Sequence, residues 1–102
     1  MAFALRQKRR STDETQFTAL LSHYPKLTQY WNLDKRECDI EIIKRELVGM
    51  GLGINEKIML KFLVMVWLGI DVLNFSMIDA INILDADDLE YIVSWTNKPF
   101  FP

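Results

Sequence analysis

The stretch that decides the fold is IMLKFLVMVWLGI, residues 58–70, in which eleven of thirteen side chains are apolar. Its longest unbroken apolar run, FLVMVWL at 62–68, is seven residues long. A membrane-spanning helix needs about 20 such residues, so the stretch reads as a buried helix and not as a span. Lys57 and Lys61 lie one helical turn apart and mark the one side of it that meets water. A helix apolar nearly all round requires other elements packed against most of its faces.

Those elements are legible on both sides. Upstream, STDE at 11–14 has the pattern of a capping box, and Phe17, Leu20, Leu21 and Tyr24 follow at i, i+3, i+4 and i+7. Pro25 closes this helix, because the residue before a proline is pushed out of the helical region. KLTQYWNL at 26–33 is a single turn or a connection. DKRE at 34–37 repeats the capping-box pattern and predicts a second helix with Ile40, Ile43 and Leu47 on one face. Gly49, Gly51 and Gly53 stop it, with a left-handed glycine cap as the expected device. Asn55 is the expected cap of the central helix. Downstream, 71–75 interrupts the pattern and Ser76 caps a fourth helix with Met77, Ile78, Ala80, Ile81 and Leu84 inward. Asp85 caps a fifth, with Leu89, Ile92 and Val93 on one face and Trp95 nearby. No segment alternates as a sustained strand. The prediction is an all-α fold: a small bundle of about five helices around an apolar central helix at about 55–69.

The whole chain of 102 residues is half apolar and one-quarter charged, with one cysteine and a formal net charge of −2. This length predicts one domain over 11–102, preceded by a flexible basic arm at 1–10. Its single cysteine excludes a disulfide-stapled secreted scaffold and fits a cytoplasmic protein. Residues 1–10 carry four bases and no acid, whereas 71–102 carry six acids against Lys98 alone. The leading segment lacks the order of charges and the long apolar core of a secretory signal.

Candidate chemistry is sparse. His23 is the only histidine, which limits both nucleophilic catalysis and metal binding, and its place at a helix end fits a capping or surface role. Cys38 stands between Glu37 and Asp39, whose charges oppose a thiolate, and reads as a small apolar residue. DADDLE at 85–90 resembles a calcium loop only at its start. It has Leu at the fifth position, Glu where glycine belongs and Thr at the twelfth. A helix-turn-helix over 34–68 would make the most apolar helix the DNA reader, which is the wrong chemistry. No catalytic residue, cofactor or metal is expected.

What remains is apolar surface. Methionines and aromatics surround the central helix, and a chain this short leaves ~35–40% of its unfolded-state surface exposed. The expected function is therefore a non-enzymatic protein–protein interaction module, an adaptor, chaperone-like or regulatory protein. It would bury helical apolar surface against a protein partner or a second copy as a homodimer. Met59, Met65, Trp67, Trp95, Phe100 and Phe101 are the candidate contacts. The alternative is a nucleic-acid-associated regulator that binds phosphates through Arg6, Lys8, Arg9 and Arg10, aided by Lys26, Lys35 and Arg36. An enzymatic carboxylate site at 85–90 ranks last.

Overall fold

The structure is a computed structural model that describes the backbone of residues 2–102 and the side chains of residues 12–102. It is mostly helical, with five helices and one small two-stranded ladder. The helices are α1 (Ala2–Leu21), α2 (Ile40–Val48), α3 (Ile54–Leu68), α4 (Met77–Ile83) and α5 (Ala86–Asn97). A 3₁₀ turn (Thr28–Tyr30) leads into β1 (Trp31–Asn32), which pairs antiparallel with β2 (Glu37–Cys38). The small helical bundle predicted from periodicity is the fold observed.

α3 is its axis. Ile58, Met59, Leu60, Phe62, Leu63, Val64 and Val66 are all buried, on several sides of the helix. The incompletely covered stripe runs through Ile54, Lys57, Lys61, Met65 and Leu68, as the spacing of the two lysines predicts. Phe17, Leu20 and Leu21 of α1, Ile43 of α2, Ala80 of α4 and Ile92 of α5 complete the surrounding core with Leu27, Tyr30, Trp31, Leu52 and Leu84. No polar or charged residue is buried among the described residues. Cohesion therefore rests on apolar burial and aromatic packing.

Local signals hold where the chemistry is local. Ser76 Oγ accepts from Asp79 N–H at 3.2 Å, and Asp85 Oδ1 accepts from Asp88 N–H at 2.9 Å, so both expected caps form. α3 ends in Gly69 at φ 75°, the left-handed conformation that glycine adopts without a Cβ penalty. Its N–H donates to the Met65 carbonyl at 2.9 Å.

Five expectations need correction. α1 runs through Ser11 and so does not begin at the box of 11–14. The basic arm expected at 1–10, with Arg6, Lys8, Arg9 and Arg10, lies outside the residues whose side chains are described. The second box, 34–37, falls in a hairpin, with 34–36 in its loop and Glu37 opening β2. Asn32 Oδ1 accepts from Lys35 N–H at 3.1 Å, the Leu33 carbonyl accepts from Arg36 N–H at 3.3 Å, and Arg36 takes φ 58°. This turn feeds the ladder, and Asp39 caps α2 instead, accepting from Ile42 N–H at 3.2 Å. Gly49 ends α2 with φ −84° and ψ −172°, in extended backbone, so no left-handed cap operates there. Gly53, not Asn55, precedes α3, and the Glu56 carboxylate reaches back to its N–H at 2.9 Å. Finally, Met77, Ile78, Ile81 and Val93 face outward. α4 is only seven residues long with one buried side, so Ala80 occupies that side and its other apolar residues remain in solvent.

Candidate functional site

The aromatic candidates sit around two clusters. Phe17 packs between Trp31 and Trp67, with ring centroids 5.5 and 5.0 Å away. Phe62 packs on Phe75 and Trp95, each at 5.6 Å. Trp95 also carries the C-terminal segment, because its Nε1–H donates to the Phe100 carbonyl at 2.9 Å and its ring meets Phe101 edge-on at 5.5 Å. The tail is thus folded back onto α5. Phe101 is the more exposed of the two, whereas Trp67, Trp95, Phe100 and Met65 are half-buried against the core. Met59 is fully buried and cannot meet a partner, which removes it as a contact.

The exposed apolar surface lies elsewhere. Val48 closes α2, Met50 stands in the loop after it, and Ile54 opens α3. Their fractional exposures are 86%, 99% and 62%. Val48 and Ile54 border a groove of about 500 Å³ between α2, α3 and α4. Leu47, Ile58, Leu73 and Ile83 form the rest of its apolar lining, and Lys44, Lys57, Lys61 and Asp79 supply its charges. Composition and periodicity do not single out this surface, because the methionine-rich centre dominates the apolar pattern. The signal was present: aliphatic residues beside a glycine-rich turn, and a fourth helix too short to bury all of its apolar side chains.

Two further depressions carry less. A polar hollow of about 890 Å³ lies against the hairpin, lined among others by Gln29, Asp34, Glu37, Asp39 and Glu41. A smaller one of about 260 Å³ separates α1 from α5, where the His23 ring stacks on Tyr91 at 4.6 Å. His23 is exposed there, a surface position at the end of α1. Among the described residues no group of His, Cys, Asp and Glu is arranged to hold a metal ion. In the acidic segment, Asp85 serves as a cap and Asp88 Oδ1 accepts from the Tyr24 hydroxyl at 2.7 Å. Burial, followed by that hydrogen bond, pushes the Tyr24 phenol upward from its ordinary range.

Cys38 lies at the end of β2, half-buried, and its thiol is pushed up to about 12, first by burial and then by the Asp39 charge. At neutral pH it is a protonated, poor nucleophile. Iodoacetamide is expected to label the native chain slowly and the urea-unfolded chain fast; equal rates would contradict this placement. The sign of the linkage follows. Above the ordinary thiol range the unfolded cysteine loses its proton while the native one keeps it. Stability therefore falls as pH rises from that range toward 12, and Cys38→Ala should flatten part of the fall. Tyr24 contributes in the same direction at higher pH.

Of the bases proposed to assist phosphate binding, Arg36 Nη2 lies 2.5 Å from Glu14 Oε1 and Lys26 Nζ lies 3.6 Å from Glu56 Oε1. Both are engaged inside the chain, which leaves Lys35 exposed on the hairpin loop. No described helix is long and apolar enough to cross a membrane. The chain matches no protein-family model, no curated protein and no solved structure.

Proposed function

We propose that this chain is a non-enzymatic protein–protein interaction module of the cytoplasm, an adaptor, chaperone-like or regulatory protein. It acts by burying aliphatic helical surface against a partner. The observation that carries this reading is the cluster of exposed aliphatics at the α2–α3 junction, Val48, Met50 and Ile54, beside an open apolar groove. These side chains gain little from the chain's own fold, and contiguous exposed apolar surface on a small domain marks an interaction site. The outward residues of α4 are further exposed apolar side chains, and Phe101 is another near Gly69, at the other end of α3.

A photo-reactive side chain at position 50, compared with one at exposed position 35, tests the reading in extract of the source cells. The expected result is a discrete crosslinked protein from position 50, lost in a Val48→Ser/Ile54→Asp variant. That variant should stay within about 0.5 kcal/mol of the parent per substitution, since both sites are surface positions. Crosslinking no different from that at position 35 would overturn the proposal.

A further inference from the structure

The groove between α2, α3 and α4 has a chemistry that selects its occupant. Its lining is aliphatic, through Leu47, Val48, Ile54, Ile58, Leu73 and Ile83, and three lysines face it against one carboxylate, Asp79. Lys57 Nζ donates to the Gly49 carbonyl at 2.6 Å, which holds its charge at the mouth and ties α3 to the end of α2. Lys44 is only loosely paired with Glu41, at 4.0 Å on exposed side chains. Lys61 has no ion-pair partner among the described residues. Lys44 and Lys61 are thus available to an incoming chain, while Lys57 adds its charge to the rim from its place against Gly49.

Resting on the interaction reading above, we infer that this groove docks an acidic amphipathic helix of a partner protein. Apolar residues at i, i+3, i+4 and i+7 of that helix enter the aliphatic lining, as in helix-in-groove recognition. Carboxylates flanking its apolar stripe meet Lys44, Lys57 and Lys61. A volume of about 500 Å³ lies within the ordinary range for binding clefts and admits part of one helical face. A basic amphipathic helix would meet the same apolar floor but set like charges against the rim. Charge on this rim therefore chooses the partner, and the aliphatic floor holds it.

The test uses two labelled helical peptides with leucines at the anchor spacing, one carrying glutamates and the other lysines at the flanking positions. Fluorescence anisotropy with the full chain at low salt should show the acidic peptide binding about tenfold more tightly. Each exposed pair is weak, and several together reach that ratio. Added salt should narrow the gap. A Lys44→Glu/Lys61→Glu variant should reverse the preference, whereas Lys35→Glu should not. Lys57 is left intact because it bonds the backbone. Equal affinities, a preference for the basic peptide or no binding of either would overturn the inference. So would a dimer in sedimentation that Ile54→Asp disperses, since the occupant would then be a second copy. If position 50 still crosslinks a protein while the peptides show no acidic preference, this inference fails and the interaction reading stands. If both experiments are blank, both fail.

Discussion

Phe62→Ala should lower the unfolding free energy by about 3–5 kcal/mol, the range for truncating a buried aromatic. Phe62 has no exposed surface, and its ring lies 5.6 Å from both Phe75 and Trp95. It therefore joins α3 to the 69–76 connection and to α5 in one contact. Removing the ring takes away its transfer free energy and leaves a cavity between rigid neighbours that cannot all close in. A domain of this size has a total stability of about 5–15 kcal/mol, so the loss is a large share of what holds it folded. Urea unfolding followed by far-ultraviolet circular dichroism measures it. The midpoint should fall sharply, and the tail packed on Trp95 should become more accessible to proteases. A loss below about 1 kcal/mol would mean that Phe62 is not in the core.

The second large effect is expected for Phe17→Ala, also about 3–5 kcal/mol by the same physics. Phe17 of α1 is fully buried and sits between Trp31 of β1 and Trp67 of α3, whose rings lie 6.4 Å apart edge to face. It is the wedge that holds the helix, the hairpin and the axis together. Leu20 and Leu21 are the other buried contacts of the described part of α1, so losing Phe17 should loosen that helix before the rest. Tryptophan fluorescence separates the two variants. Phe17→Ala should red-shift emission in native buffer as Trp31 and Trp67 meet water, whereas Phe62→Ala should act through Trp95. Unchanged emission together with unchanged stability would show that α1 docks differently.

How far such an arrangement is readable depends on the range of the interaction. The amphipathic face Phe17, Leu20 and Leu21 and the caps at Ser76 and Asp85 were legible because each depends on neighbours within a turn or two of chain, although α1 ends at Leu21, before Tyr24 and Pro25. The pattern at 34–37 misled for the opposite reason. Asp34 and Glu37 have the residue types and spacing of a capping box, but Trp31 is drawn into the cluster with Phe17 and Trp67, and the chain on either side of the loop pairs as a ladder. That pairing turns 33–36 into a hairpin loop, and Asp39 inherits the cap. A local motif lost to a nonlocal contact.

The candidate surface shows the same division. Methionine near the central helix was a reasonable sign of adaptable contact surface, yet Met59 is sealed in the core and Met50 is almost wholly exposed. Both are apolar, and composition treats them alike. Periodicity assigns a residue to a face of its own helix, but which faces meet depends on how helices cross.

The class of fold and the identity of its axis follow from the order of residues alone. A stretch as apolar as 58–70, too short to span a bilayer, must be buried on most sides, and the segments around it carry helical periodicity. Tertiary structure alone decided which apolar residues were left over. The packing around α3 buries Met59 completely, while α2, α3 and the seven-residue α4 leave a groove between them with Val48 and Ile54 at its edge. Burial is a property of neighbours brought together from distant parts of the chain. So the docking surface, and the lysines that frame it, come into being only when the helices pack.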